Sequence, residues 1–517
     1  MLDSQMIEQL KSVFASLENE IGLVYDSCSH PDQKELLSLL DQVASTSSKI
    51  QLLENKSQES SAPQFYISKN KKPTGISFKG IPGGHEFTSL ILAILNADGK
   101  GKMPDPQISK RIQKIKGPID IQTYISLTCE NCPDVVQALN MMSLVHPNMK
   151  HKMIDGLYAQ EDIQKLGIQG VPSIVVNGKM IHSGKINLLD LISLLEKTFG
   201  ASEVQNTESI NLGHFDVVVV GGGPAGASAA IYSVRKGLKT ALLAERMGGQ
   251  VQDTKGIENL ISVIYTEGPQ LAGQLMQHVS SYPVHTFEHR RVEQIEKGSP
   301  KKIKLEGGEY LTAEDVIVTT GAKWRELNIP GEKEYIGRGV AFCPHCDGPY
   351  YKGKKVSVIG GGNSGVEAAI DLAGIVKEVV LFEFNDQLKA DKVLVDKLKS
   401  LPNVSIKTNA RTSQILGNGE KVVAMEYEDR ATKEIKKEEL DGVFVQIGLL
   451  PNSQFLKGTV ELSKFGEIIT DEKGRTSEPG IYAAGDVTTT PFKQIIIAMG
   501  EGAKAALAAF EDRMKRV

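Results

Sequence analysis

Apolar residues fall into two kinds of run along this chain. One is the short unbroken run that a strand buried on both faces requires: Val217-Val218-Val219-Val220, and residues 240–244, 355–359 and 378–382. The other has helical spacing, as in Val135, Val136, Leu139 and Met142, or Leu188, Leu191, Ile192 and Leu195. From residue 215 onward strand and helix patterns alternate, which predicts α/β units with parallel sheets. Similar openings at 215 and 355 predict two separate nucleotide-binding folds.

Residues 1–200 differ. Residues 2–53 read as two or three short helical or strand segments, with apolar spacing such as Leu36, Leu37, Leu39 and Leu40. The polar stretch 54–62 reads as a loop. Strands at 64–67 and up to Phe78 follow, then glycines at 83 and 84 and a helix over 86–95. About a hundred residues on, the order recurs: an apolar strand at 171–176, a turn at Asn177-Gly178, Gly184, and a helix through Leu195. Aligning Gly84 with Gly184 puts Leu95 on Leu195 and Pro73 within one residue of Pro172, which predicts a degenerate internal duplication. Only the second copy has a thiol pair. A β-like run at 119–125 leads to Thr128-Cys129-Glu130-Asn131-Cys132-Pro133 and then a helix. Cys129 is therefore expected at a helix N-terminus, where the positive end and its N–H groups stabilise a thiolate. Residues 199–214 are polar and aperiodic, which predicts an interdomain linker.

Composition narrows the classes. Five cysteines in 517 residues exclude a secreted disulfide scaffold. Four of them form two Cys-x-x-Cys pairs, Cys129/Cys132 and Cys343/Cys346; Cys28 is expected to be inert. The first ten residues lack a basic region and an apolar core, so no leader is expected. The stretch 215–234 is long enough for a membrane span, but Gly221, Gly222, Gly223, Pro224 and Gly226 make it a strand, a turn and a helix. A cytoplasmic protein without a membrane partner is expected, where paired thiols are more often catalytic than structural. A net charge of −4 gives no reason to expect nucleic acid.

Four motifs carry chemistry. The first is Gly221-x-Gly223-Pro224-Ala225-Gly226 after a buried strand. Gly221 permits the tight turn, Gly223 the approach of pyrophosphate, and Gly226 the packing of helix on strand. The next strand ends in Glu245, where a carboxylate can grip a ribose hydroxyl. The second repeats this layout with Gly360, Gly362, Asn363, Ser364, Gly365 and then Glu383. An acid there favours a free 2′-hydroxyl, hence NAD over NADP, and no basic cluster follows it immediately. The third is Cys343-Pro344-His345-Cys346-Asp347, a dithiol beside an acid that suits two-electron transfer with Asp347 or a neighbour handling the proton. Half of a four-cysteine zinc site is the competing reading. The fourth is Gly485-Asp486-Val487, followed by Gln494 and an apolar helix from Ile495. It can bind ribityl or ribose hydroxyls, or be a solvated loop.

Residues 208–517 resemble the low-molecular-weight thioredoxin reductase family. The resemblance rests on these motifs together with Glu245-Arg246-Met247-Gly248-Gly249-Gln250, Ile257-Glu258-Asn259, Thr320-Gly321-Ala322, Pro330-Gly331-Glu332, Gly337-Arg338-Gly339-Val340 and Ile447-Gly448-x-x-Pro451-Asn452. With the N-terminal 200 residues added, the chain resembles the family of flavoproteins that belong to bacterial alkyl hydroperoxide reductases. Val171-Pro172 fits the cis-proline position that faces the dithiol in thioredoxin-like folds. The Pro-Gly usual after Ile-Glu-Asn is replaced by Leu260-Ile261-Ser262.

The resemblance implies tandem thioredoxin-like folds followed by two doubly wound dinucleotide-binding domains, the second inserted in the first. The expected divisions are 1–100 without a dithiol, 101–198 with one, the linker, 215–326 and 446–517 for FAD, and 327–445 for NADH. FAD contacts are expected at Gly221, Gly223, Pro224, Ala225, Gly226, Glu245, Gly249, Gln250, Asn259, Gly321, Gly485, Asp486, Gln494 and Ile495. NADH contacts are expected at Gly360, Gly362, Asn363, Ser364, Gly365 and Glu383, with no metal. Electrons are expected to pass from NADH to FAD, to Cys343–Cys346 with Cys346 facing the flavin, to Cys129–Cys132, and to a peroxiredoxin partner. A homodimer is implied. A reductase of other thioredoxin- or glutaredoxin-like disulfides and a peroxide-forming NADH oxidase remain as alternatives.

Overall fold

The computed structural model describes residues 2–129, 131–168, 170–202, 209–254 and 256–516. The chain divides into two compact units, residues 1–206 and 207–517. The first contains α1 (Ser4–Phe14), β1 (Ile21–Cys28), α2 (Gln33–Ala44), β2 (Ile50–Ser60), β3 (Gln64–Lys69), β4 (Lys72–Lys79), α3 (Phe87–Asp98), α4 (Pro106–Gln113), β5 (Ile119–Ile125), α5 (Cys132–Val145), β6 (Met149–Asp155), α6 (Gln160–Leu166), β7 (Ser173–Val176), β8 (Lys179–Ser183) and α7 (Leu188–Phe199).

Its strands form one eight-stranded sheet in the order β2-β1-β3-β4-β6-β5-β7-β8. Each half has the same internal order, and β4 pairs parallel with β6 to join them. The duplication is thus written in the topology. The hairpin turns match as well: Asn70 and Lys71 (φ 48° and 65°) in one half, Asn177 and Gly178 (φ 51° and 72°) in the other. Two left-handed residues give the turn whose twist suits a two-residue hairpin.

Two expectations need correcting. Strand order makes β3 the counterpart of β7, so Pro172 corresponds to Pro63. Pro73 lies inside β4, opposite Ser68. A fixed offset aligns the closing helices but not the strands before them, because the loops between differ in length. The stretch 54–62 is not a loop throughout: β2 continues to Ser60. It is the sheet's outer strand, where polar residues can meet water.

The second unit contains β9 (Ile210–Val220), α8 (Pro224–Arg235), β10 (Thr240–Ala244), α9 (Gly268–Ser280), β11 (His285–Glu288), β12 (Val292–Glu296), β13 (Lys301–Leu305), β14 (Glu309–Val318), β15 (Ala322–Trp324), β16 (Val340–Ala341), α10 (Pro344–Asp347), β17 (Lys355–Ile359), α11 (Asn363–Ala373), β18 (Glu378–Phe382), α12 (Lys392–Lys399), β19 (Val404–Lys407), β20 (Ala410–Gly417), β21 (Val422–Asp429), β22 (Ile435–Glu439), β23 (Gly442–Val445), β24 (Leu449–Pro451), β25 (Ile481–Ala483) and α13 (Ile495–Arg516). A seven-stranded sheet runs β11-β10-β9-β14-β13-β12, with β25 on β14. A five-stranded parallel sheet runs β16-β23-β17-β18-β19, beside the three-stranded meander β20-β21-β22. The chain leaves and re-enters the larger sheet's domain through the antiparallel ribbon β15·β24.

Residues 210–214, expected in the linker, belong to β9 and pair with β14, Ile210 opposite Glu309 and His214 opposite Thr312. They are half exposed, so no apolar run marks them. Within the expected linker, residues 203–208 lie outside the described residues. Among the described residues no helix is long and apolar enough to cross a membrane.

Phe78 lies in the seam strand β4, fully buried and stacked on Phe65 with ring centroids 5.0 Å apart. Phe78→Ala should destabilise the first unit by about 3–5 kcal/mol. In denaturant titration of the full chain, the transition of that unit should move to lower concentration while that of the second unit stays in place.

Candidate redox and nucleotide sites

Two glycine turns in the second unit share one geometry. A Cβ on Gly226 would stand 1.8 Å from the Gly221 carbonyl oxygen, and one on Gly365 would stand 1.9 Å from that of Gly360. Gly221 and Gly360 have φ of 120° and 124°, and their own Cβ positions run into the backbone oxygens of Thr319 and Gln446 at 2.3 Å each. Helix and strand are therefore in contact where only hydrogen fits. Gly223 and Gly362 differ: no heavy atom lies within 4 Å of a Cβ built there. They are the N-caps of α8 and α11, and no side chain caps either helix. First-turn N–H groups without a capping side chain, facing open space, are what a pyrophosphate requires. The residues present fit a dinucleotide at both turns.

The two acids after these turns are held differently. Glu245 is half exposed and forms a two-pronged ion pair with Arg291, 2.9 Å from Nε and 2.6 Å from Nη2. Glu383 is buried. Its Oε2 accepts from Gly361 N–H at 2.6 Å, and its Oε1 accepts from the Asn385 backbone N–H at 2.8 Å and from the Asn385 side-chain amide. Asn363 is locked to Asp391 by reciprocal bonds of 2.9 Å, while Ser364 is exposed in the first turn of α11.

The other expected flavin contacts cluster around the first turn. A Cβ on Gly249 would lie 3.0 Å from Gly223 Cα, so the loop carrying Gln250 folds against the cradle. Pro224 opens α8, and Ala225 touches both Gly485 and Gly502, the latter on α13. Gly321 accepts from Asn452 N–H at 3.0 Å across the ribbon β15·β24. Burial pushes the Asp486 carboxyl upward, opposed by Lys493. Asn259 donates to Gln494 Oε1 at 3.1 Å, and Ile495 then starts α13.

Gln494 also links this site to the second thiol pair: its Nε2 is 3.9 Å from Cys343 Sγ. Cys343 and Cys346 form a disulfide. Cys343 caps α10, and its Sγ receives the Cys346 N–H at 3.2 Å. Burial raises the Asp347 carboxyl to about 6, so it can hold or release a proton near neutrality.

In the first unit Cys129 and Cys132 form the other disulfide. Cys132, not Cys129, occupies the first position of α5; Cys129 stands in the preceding turn, its N–H bonded to Ser126 O at 3.0 Å. The helix begins late because its opening residues are the turn that carries Cys129. Cys132 is fully buried, whereas Cys129 is partly exposed. The Val171–Pro172 bond is cis, and Cys129 Sγ lies 3.7 Å from Val171 O.

One residue of this site goes unmarked in the sequence. Glu86 ends a short 3-10 turn (Gly84–Glu86) before α3, in the half without a thiol pair. His85 N–H donates to Leu127 O at 3.4 Å, in the loop leading to Cys129. Glu86 is fully buried, and among the described residues no well-formed hydrogen bond reaches either carboxylate oxygen, Ser89 being the one side chain that acts on them as a donor. Burial pushes its carboxyl up to about 7; Ser89 opposes the rise, and Asp134 in the first turn of α5 adds to it. Nothing in Gly83-Gly84-His85-Glu86 distinguishes it from an ordinary helix-opening acid, since its burial comes from the other half.

Comparison with known proteins gives the context. Residues 215–502 match the pyridine nucleotide-disulphide oxidoreductase family, and residues 119–195 match the thioredoxin domain. The F subunit of alkyl hydroperoxide reductase from Pseudomonas putida is 51% identical, covering 100% of this chain and 99% of its own. A Bacillus subtilis protein named NADH dehydrogenase is 49% identical, covering 99% of each. Among solved structures, thioredoxin reductase from Streptococcus pyogenes is 34% identical with a TM-score of 0.56, covering 58% of this chain and 99% of its own. The chain belongs to the family of alkyl hydroperoxide reductase F subunits, within the pyridine nucleotide-disulphide oxidoreductases, and is a flavin- and pyridine-nucleotide-using disulfide oxidoreductase.

Proposed function

We propose that this enzyme uses FAD and NADH to keep a peroxiredoxin reduced, so that the peroxiredoxin can reduce hydroperoxides. FAD is assigned to the Gly221–Gly226 cradle with Gly485, Asp486 and Gln494, and NADH to the Gly360–Gly365 cradle with Glu383, in an inserted segment spanning 327–445. The observation that supports the relay best is the Cys343–Cys346 disulfide beside Gln494, at the edge of the first cradle. The flavin, when bound, accepts a hydride from the nicotinamide and delivers two electrons to a disulfide.

The chain's own groups do the rest. Cys343 is the exchange thiol: the Cys346 N–H that already points at its sulfur stabilises the thiolate once the disulfide opens. Asp347, titrating near 6, handles the accompanying proton. In the first unit the attack falls on Cys129, the more exposed sulfur, and Cys132 leaves. A thiolate in the apolar cluster around Cys132 is unfavourable. Glu86, protonated near neutrality, supplies a proton, and takes it back when Cys132 later resolves the mixed disulfide with the peroxiredoxin. The reading includes a cytoplasmic homodimer, to which the exposed apolar residues Ile261, Ile264 and Tyr265 are suited.

A dithiol and a nicotinamide both have to reach the same flavin, and one segment carries both. The proposal therefore includes rotation of 327–445 about the ribbon β15·β24.

Three outcomes are expected. Adding a hydroperoxide and a candidate peroxiredoxin should start rapid NADH oxidation in the wild type and none in Cys129→Ser; a simple oxidase would be indifferent to that change. Tyr350, in the inserted segment, lies close to Glu258 on the flavin side. A bis-maleimide crosslink of suitable length between Glu258→Cys and Tyr350→Cys should stop turnover, and full activity in the locked protein would overturn the rotation. Glu86 supplies a pH test. Its carboxyl rises from 4.5 to about 7 on folding. The folded state therefore holds a proton the unfolded chain has lost, and the associated stability is present below 4.5 and lost as pH climbs to about 7. Denaturant midpoints of the first unit, compared at roughly pH 5 and pH 8, should fall in the wild type and fall less in Glu86→Gln.

A further inference from the structure

Three half-buried charged groups act on one another in the turn between β25 and α13: Asp486, Lys493 and Glu501. Glu501, on α13, ties the turn together. Its Oε2 accepts from Gly485 N–H at 2.9 Å and its Oε1 from Thr490 Oγ1 at 2.7 Å, so one carboxylate spans both ends of the segment that carries Asp486. Thr488 Oγ1 closes the inside of the turn on Gly485 O at 2.8 Å.

Lys493 comes back onto the same turn. Phe492 has φ of 59°, a conformation uncommon for an aromatic residue, and the chain reverses there so that Lys493 Nζ donates to Thr488 O at 2.6 Å. Behind this pair stand Glu467, 3.5 Å from the Lys493 ammonium, and Lys504, 3.6 Å from the Glu501 carboxylate. The side chains of Lys493 and Glu501 are only 15% and 12% exposed, so salt and solvent screen neither strongly.

Asp486 responds to both. Burial favours its neutral form, Lys493 favours the carboxylate, and Glu501 opposes it. The difference matters for a hydroxyl ligand, because a hydrogen bond to a charged acceptor is roughly twice as strong as one between neutral groups. We propose that Lys493 and Glu501 are an opposed pair of positioning residues for the flavin: Glu501 fixes the turn that presents Asp486, Lys493 supplies the charge that holds Asp486 as a carboxylate against Glu501, and together they decide down to what acidity the ribityl or ribose hydroxyls of the flavin are gripped. This rests on assigning FAD to the turn that carries Gly485 and Asp486.

The test measures flavin freed from the loaded full chain, separated by ultrafiltration and read by its absorbance, over a pH range in which far-UV circular dichroism stays constant. Asp486 grips as a carboxylate, so release accelerates as pH falls through its titration. Lys493→Gln removes the favourable charge, and the midpoint of the acceleration should move to higher pH; between the two midpoints its release should be about tenfold faster than that of the wild type. Glu501→Gln keeps an acceptor for the Gly485 N–H and removes the opposing charge, so its midpoint should move to lower pH. Lys493→Arg should restore the wild-type midpoint. Lost packing alone would speed release at every pH; midpoints that stay in place, or that both move the same way, overturn the proposal. If Lys493→Gln fails to fold, Glu501→Gln decides, and a midpoint that does not move to lower pH refutes the pairing. In Asp486→Asn the pH-dependent step should vanish. A step that persists there removes the assignment of flavin to this turn, a failure distinct from unmoved midpoints in the other variants.

Discussion

At Gly226 and Gly365 a helix touches the strand-end carbonyl before it at a distance that excludes even a methyl group. The second unit is organised around that contact. It brings the first turns of α8 and α11 to the strand ends with their N–H groups facing outward, where a phosphate can meet them. The same constraint extends to the C-terminal helix. A Cβ on Gly502 would lie 2.0 Å from Ala225 O, so α13 lies directly on α8, and Gly485 closes on Ala225 from the third side. The flavin-side cradle thus stands on positions that carry no side chain, and α13 cannot be displaced without opening it. Because α13 begins at Ile495, this packing also fixes Gln494, the residue that meets Cys343.

In the first unit the governing element is the seam between β4 and β6. Parallel pairing there sets the end of β4 beside the loop after β5, and the turn that follows β4 then lands against Leu127. On the proposed relay, the half without a thiol pair gains a role through this arrangement: it would supply the buried Glu86 carboxyl to the dithiol of its neighbour.

What is legible in the sequence follows from burial. β10, β17 and β18 match the expected runs residue by residue, because strands covered on both faces are unbroken apolar runs bounded by turn residues. The glycine turns are legible because their constraint is local: a tight turn, a phosphate approach and a helix contact within six residues. The outer half of β2 and residues 210–214 escape such reading because an edge or half-exposed strand needs no apolar pattern. Glu245 is readable as an acid after a strand, but its pairing with Arg291 is not, since the partner lies 46 residues further on, in the connection from β11 to β12. Glu86 is invisible for the same reason. It reaches its place through strand pairing between segments far apart in the sequence and leaves no mark among its own neighbours.

The exposure of the sulfurs gives the relay a direction. Thiol–disulfide exchange needs a thiolate to approach one sulfur in line while the other leaves. Cys132 is sealed in a cluster with Leu90, Ile91 and Val136, so an incoming thiolate can reach only Cys129. On the proposed relay, Cys132 is then always the leaving group on the way in and always the attacking group on the way out. Burial in that apolar cluster disfavours a thiolate there, the first turn of α5 acts the other way, and an unprotonated leaving group favours the reverse reaction. A neighbour that is itself charged would make this worse, and a neighbour with an ordinary carboxylate titration would have no proton to offer near neutrality. Glu86 escapes both limits because burial, not a partner, sets its protonation. The same burial that makes it costly to the folded unit would, on that relay, let it give and retake one proton in each cycle.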